Sequence, residues 1–208
     1  MKVLMINSVC GIKSTGRIAT DLADMLTERG HLVKIAYGRE SVPEKYNKYA
    51  IKIGTEWDVR FHGGMARILD NAGFGSRRAT LKFIEWVKEF APDIIHLHNL
   101  HGYYINVKIL FEFLKEYNKP VIWTLHDCWA FTGHCAHFDL YKCYKWQTEC
   151  SKCPQKKEYP TSLLLDNSRK NYNLKKQAFQ GINKLTVVTP SQWLAGLVKE
   201  SFLQNYET

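Results

Sequence analysis

Val121-Ile122-Trp123-Thr124-Leu125-His126-Asp127 decides the fold. An apolar run that ends abruptly in a histidine and an acid predicts a buried strand with polar side chains at its C-terminal end. Open α/β sheets bind their ligands beyond those carboxyl ends. Four cysteines follow at once, Cys135, Cys143, Cys150 and Cys153, within a cysteine-rich insertion of about residues 128–160. Such a cluster suits a small metal site or disulfides better than a hydrophobic core.

Outward from this stretch, strands alternate with helices. Lys2–Asn7 predicts a first strand, Ser8–Gly16 a glycine-containing loop, and Arg17–Arg29 a helix with Ile18, Leu22, Met25 and Leu26 on its buried stripe and Gly30 as its stop. His31–Tyr37 and Ala50–Gly54 predict further strands, Thr80–Phe90 a helix ending before Pro92, and Asp93–His98 a fourth strand. Ile105–Tyr117 is helical in spacing, Lys119–His126 is the fifth strand, Ser162–Gly181 a long helix and Leu185–Thr189 a sixth strand. Ser191 is placed to cap a last helix running to Phe202. Residues 38–49 and 55–79 show no clear period, and Gly63-Gly64, Gly73 and Gly75 predict a mobile loop. Parallel strands need helical crossovers, so the pattern predicts an α/β fold: a Rossmann-like, doubly wound parallel sheet in a single domain over residues 1–208.

The 208 residues are 45% hydrophobic and 13% aromatic, enough for a sizeable core. No apolar run approaches the ~20 residues needed to span a bilayer, and the first residues do not form a signal sequence. A cytoplasmic location with reduced thiols is expected. The net charge of +9 is spread over Arg77-Arg78, Lys156-Lys157, Arg169-Lys170 and Lys175-Lys176. It reads as a solvated basic surface or as attraction to an anionic partner, either membrane headgroups at the inner face or a phosphate-bearing substrate. Without a recognisable motif, nucleic acid is not expected.

Three places converge on the expected crevice. The loop Cys10–Gly16 offers backbone N–H groups to an anion, but lacks both G-x-G-x-x-G and a closing G-K-[ST]. His96 and His98 share a face by period-two alternation and, with Asn99, suit a polar wall better than a metal site, since no carboxylate accompanies them. His126 can hydrogen-bond a substrate hydroxyl or phosphate, and Asp127 can orient polar groups. The cysteines run C-x7-C-x6-C-x2-C and are open to three readings: structural zinc on Cys135, Cys143, Cys150 and Cys153, disulfides, or free thiols. His134 and His137 are spare ligands.

Several runs together carry a family resemblance. They are Ser14-Thr15-Gly16-Arg17-Ile18, Pro92–His98, Thr124-Leu125-His126-Asp127-Cys128-Trp129-Ala130-Phe131-Thr132-Gly133, Cys150–Gln155 and Thr189-Pro190-Ser191-Gln192-Trp193-Leu194. The chain resembles the N-terminal, acceptor-binding domain of a family 4 bacterial glycosyltransferase of GT-B architecture, as found in polysaccharide biosynthesis. The resemblance implies a retaining hexosyltransferase that moves a sugar from a nucleotide-sugar to a polysaccharide or lipid-linked glycan, with no catalytic metal. It implies His126 as the catalytic residue near the transferred sugar, Gly16 near the donor phosphates, and Thr15, His98, Asn99 and Asp127 as substrate-binding. Thr15-Gly16 stands where that family has a glycine pair. The donor-binding C-terminal domain is expected to be absent from these 208 residues, so this half alone is not expected to catalyse. The competing readings are a non-catalytic module for a phosphate ligand or partner, and, from the fold class alone, a nicotinamide-dependent dehydrogenase.

Overall fold

The computed structural model describes residues 1–208. Six strands, β1 (Lys2–Asn7), β2 (Leu32–Tyr37), β3 (Ala50–Lys52), β4 (Ile94–Leu97), β5 (Val121–Thr124) and β6 (Leu185–Val188), form one sheet in the order β3-β2-β1-β4-β5-β6. Every pairing is parallel. The order reverses between β1 and β4, which creates a crevice at their carboxyl ends.

Helices cover both faces. They are α1 (Lys13–Glu28), α2 (Glu56–Leu69), α3 (Arg77–Phe90), α4 (Val107–Tyr117), α5 (Ser168–Phe179) and α6 (Gln192–Glu200). Alternate residues of β1 feed two cores: Leu4 and Ile6 join Ile95, Leu97, Phe83 and Leu110 in the larger, while Val3 and Met5 join Val33, Ile35, Ala19 and Ala23 in the smaller. Trp123 of β5 packs on Phe111 of α4 and Phe179 of α5 with ring centroids 5.1 and 5.0 Å away, which anchors the strand whose end carries His126.

The structure revises several expected elements. α1 begins at Lys13, four residues early, and buries Gly16, Ala19, Thr20 and Ala23. The expected stripe is rotated, for Ile18 and Met25 are each 41% exposed. The small residues let α1 lie close on the sheet, and a Cβ at Gly16 would already sit 3.1 Å from Val9 Cγ2. A close helix–sheet contact thus overrides the larger side chains. α3 likewise turns Leu81 outward and buries Phe83 and Ile84.

The expected mobile loop over 55–79 contains α2 instead. Thr55 and Asp58 close a reciprocal capping box at its start, and Asp70 ends it in the left-handed region at φ 48°. The caps and the burial of His62 and Ala66 outweigh the low helix propensity of Gly63-Gly64. α5 begins at Ser168, six residues later than expected, because 162–167 follows Arg67 and Ile68 through backbone hydrogen bonds from Leu163 and Leu165. Ser191 caps α6 as expected, accepting from the Leu194 N–H.

Candidate active site

Asn7, the last residue of β1, is fully buried and ties two loops together. Its Nδ2 donates to the Val9 carbonyl (2.8 Å) and to Thr15 Oγ1 (3.3 Å), while its Oδ1 accepts from the Asn99 N–H (3.2 Å). The loop after β1 is thereby held against the loop after β4. A cleft of about 210 Å³ opens there, lined by Lys13, Ser14, Thr15, Arg39, Asn99, His101 and Tyr159 among others. The α1 N-terminus facing it has no acidic residue in its first turn and no side-chain cap, so its first N–H groups are available to an anion.

Next to this cleft the ends of β4 and β5 stack three histidines. The rings of His96 and His98 lie 4.2 Å apart and those of His98 and His126 5.5 Å apart. His96 bonds Thr124 Oγ1 at 2.8 Å, and His98 Nδ1 meets His126 Nε2 at 3.2 Å. His98 Nε2 is buried without a partner. Burial lowers the pKa of His96 to about 4 and of His98 to about 2, with neighbouring imidazoles adding to the effect. Burial also lowers His126, partly offset by the Asp127 charge. All three are therefore neutral at pH 7, a state that can accept or donate a hydrogen bond without introducing a cation.

Asp127 orients the adjoining residues. Its Oδ2 lies 2.7 Å from His101 Nε2, and its Oδ1 accepts from the Trp129 N–H at 2.8 Å. Burial alone would raise this carboxyl, but the His101 hydrogen bond and charge and the Trp129 N–H bring it below the usual value. His101 Nδ1 in turn meets the Tyr159 hydroxyl at 2.9 Å. This Asp127–His101–Tyr159 chain crosses from the strand ends to the segment after β5.

That segment forms its own wall. Short 3-10 turns at Trp129–Phe131, Phe138–Tyr141 and Lys145–Gln147 replace longer helices or strands. Lys175 of α5, entirely buried, donates to the carbonyls of Trp129 (2.7 Å) and Thr132 (3.0 Å) and stands 3.5 Å from the Trp129 ring centroid. Burial lowers its pKa to about 7. The His134–Asp70 pair, with His134 Nδ1 2.5 Å from Asp70 Oδ1, fastens the segment to the end of α2.

The sequence expected Gly16, His98 and His126 along one rim. His98, His126 and Asp127 do line one small pocket, which shares Asn99 and His101 with the larger cleft. Thr15 and Asn99 reach the larger cleft as well. Gly16 instead packs beneath it, its carbonyl accepting from the Gly11 N–H at 3.2 Å. Sequence reasoning missed Arg39 and Tyr159, which belong to irregular loops and carry no periodic signal, and gave His101 no role. Its position three residues after His98 was the available hint. A wider groove of about 380 Å³ between β3, α2 and α3 holds Lys52, Asp58, Arg78 and Lys82, but lies at the far edge of the sheet from the histidines.

The four cysteines Cys135, Cys143, Cys150 and Cys153 line a common cavity together with His134, and none forms a disulfide. The Gly133 N–H donates to Cys150 Sγ at 3.2 Å, and His134 Nε2 is buried without a partner. The donor set therefore suits a thiophilic metal, although no three of the side chains are drawn together into a ready metal-holding group.

Comparison with known proteins agrees with this architecture. The chain is 28% identical over 207 residues to a protein of Escherichia coli (strain K12) provisionally named a colanic acid biosynthesis glycosyl transferase, WcaC, an alignment covering 94% of this chain and 50% of that protein. The chain thus spans about half the length of the curated relative it matches. The family model for Glycosyltransferase Family 4 matches residues 15–202. With a parallel six-stranded sheet and a polar cleft at its switch point, the chain belongs to glycosyltransferase family 4.

Proposed function

We propose that this chain is the acceptor-binding half of a retaining glycosyltransferase that moves a sugar from a nucleotide-sugar to a polysaccharide or lipid-linked glycan. The observation that carries the reading is the pairing of neutral, half-buried His126 with buried His98 at the carboxyl end of β5, beside a cleft bearing Lys13 and Arg39. With Nε2 turned to His98, His126 keeps Nδ1 for a sugar hydroxyl. Asp127 and His101 hold the neighbouring loop, and Thr15 and Asn99 supply polar contacts. Sugar transfer with retention demands a stabilised leaving diphosphate and exclusion of water. On this reading a donor-binding domain in the longer protein supplies the diphosphate contacts and Gly16 shapes the loop that faces them.

In the full-length enzyme, His126→Ala is expected to lower transfer roughly 100-fold or more while leaving the fold intact. Undiminished transfer by that variant would remove the role assigned to His126. The alternative, a non-catalytic module for a phosphate-bearing ligand, draws on the same Lys13 and Arg39. It is favoured if the full-length protein binds inorganic diphosphate yet transfers no sugar from any nucleotide-sugar.

We further propose that the cysteine cavity holds a structural zinc, with Cys135, Cys143, Cys150 and Cys153, which line it together, as the ligands. Its function would be to fasten the segment after β5, with no part in the chemistry. Elemental analysis of the purified protein should give stoichiometric zinc, and Cys143→Ser should lower both zinc content and melting temperature. Metal-free protein with four titratable thiols and a melting temperature indifferent to added zinc would refute the assignment.

A further inference from the structure

The outer face of α2 has no partner within the chain. Trp57 is 77% exposed and Phe61 73%, and Ile68 follows on the same stripe, at i, i+4 and i+11. Gly64 fills the gap at i+7, where nothing lies within 4 Å of an added Cβ. At the helix's C-terminal end the run Leu163-Leu164-Leu165 is pinned alongside, its N–H groups donating to the Arg67 carbonyl (2.7 Å) and the Ile68 carbonyl (3.2 Å). Leu164 is itself 66% exposed. Three consecutive exposed leucines at the C-terminal end of a helix that exposes a tryptophan and a phenylalanine on its outer face exceed the scattered apolar residues of an ordinary surface.

Cations accompany this apolar strip. Arg60 and Arg67 are exposed on α2, with the Arg60 guanidinium 5.7 Å from the Trp57 ring centroid. Lys156 donates to the Leu164 carbonyl at 3.1 Å, and Lys157 is exposed next to it. The acids of α2 are already engaged, Glu56 by Lys52 at 2.5 Å and Asp58 by the Thr55 cap. An amphipathic helix with Trp, Phe and aliphatic residues on one side and Arg beside them lies in the plane of a membrane interface, where anionic headgroups attract the cations. The chain's formal charge of +9 favours the same surface.

We propose that the outer face of α2 and the Leu163–Leu165 run form a peripheral docking surface for an anionic lipid bilayer. The surface is coupled to the acceptor cleft, because His62 on the inner side of α2 packs edge-on against Tyr103 at 5.7 Å and bonds Ser76, whose hydroxyl donates to the Tyr103 carbonyl. Tyr103 lies in the loop that follows Asn99 and His101. Docking on α2 would therefore hold the cleft beside the headgroups, where a lipid-linked acceptor presents its glycan. That purpose rests on the transferase reading, whereas the binding itself does not.

Co-sedimentation of the protein with phosphatidylcholine vesicles, with and without phosphatidylglycerol, tests the surface. The expected result is binding to the anionic vesicles alone, weakened by high salt. Trp57→Ser with Phe61→Ser should cut it at least tenfold, as should Leu163→Ser with Leu164→Ser, with no loss of melting temperature because these side chains are exposed. Arg60→Gln with Arg67→Gln should remove much of the salt-sensitive part. Absence of binding to anionic vesicles overturns the proposal. So does a lipid-free oligomer that the same serine variants convert to monomer, since the strip would then be an interface between copies. Vesicle binding that persists in a full-length protein unable to transfer sugar would overturn the transferase reading and leave the docking surface standing.

Discussion

The cleft has two walls built by different means. The ends of β4 and β5 form one wall, where parallel register fixes His96 opposite Ile122 and the chain carries His98 and His126 one and two residues beyond the strands. Residues 128–167 form the other, where only short 3-10 turns occur and side chains such as Lys175, His134 and Tyr159 do the positioning. The first wall buries neutral imidazoles, the second a lysine amine whose charged form burial disfavours. Acid and base should therefore distinguish them.

Acid should attack the strand-end wall, with the largest effect expected of any change considered. Burial lowers the pKa of His96 and His98 to about 4 and about 2 from 6.5, and His126 is lowered too; His62 on α2, outside this wall, is lowered to about 4 and adds to the same acid loss. The unfolded chain therefore binds more protons than the native one as pH falls below 6.5. The stability contributed by these neutral histidines is fully present above that pH and declines progressively toward pH 4, at about 1.4 kcal/mol for each pKa unit of each group. His134, raised by Asp70 against the effect of burial, works in the opposite direction but is a single group. Thermal melts between pH 7.5 and 4 should show a fall of several kcal/mol, and His96→Gln should flatten it. A flat profile would mean that these histidines are charged or solvated, and the neutral wall would be lost.

The same contrast explains what the sequence made legible. Strand ends announce themselves, since His96, His98 and His126 each follow an apolar run and the period of two assigns their faces. The helix α1 was legible as a helix but not in its orientation, because Ala19, Ala23 and Gly16 gain burial by close approach, which a hydrophobicity stripe undervalues. The helix α2 was hidden by Gly63-Gly64, though its Thr55–Asp58 capping pair was present in the sequence. On the second wall, Tyr159 reaches His101 across 58 positions through a chain with no repeating geometry, and Lys175 looked like one more surface charge beside Lys176. Only the folded chain shows that one lysine is buried and its neighbour exposed.

Lys175→Met should break the second wall while sparing the first. Methionine roughly fills the volume but leaves the carbonyls of Trp129 and Thr132 without their buried donor, at a cost of about 2 kcal/mol. The pH dependence gives a sharper signature. With its native pKa lowered to about 7 from 10.5, Lys175 makes the unfolded state bind more protons above pH 7, so stability should rise from pH 7 to about 9. Chemical denaturation at pH 7 and 9 should show the slope reduced in Lys175→Met, with the acid limb unchanged. An unaltered alkaline slope would mean that Lys175 is not the strut of this wall.

Tyr159→Phe should have the smallest effect, and it probes the joint between the walls. It deletes only the hydroxyl that meets His101 Nδ1, and Tyr159 is 45% exposed, so water can replace the lost partner. Stability should fall by less than about 1 kcal/mol. Asp127 still holds His101 through Nε2, but the ring loses its second restraint and its position in the cleft becomes less defined. If the joint positions the acceptor, full-length Tyr159→Phe should raise KM for acceptor several-fold with little change in kcat, because His126 is bonded separately through His98. A fall in kcat with KM unchanged would instead mean that the second wall takes part in the transition state, and the division of labour between the walls would have to be redrawn.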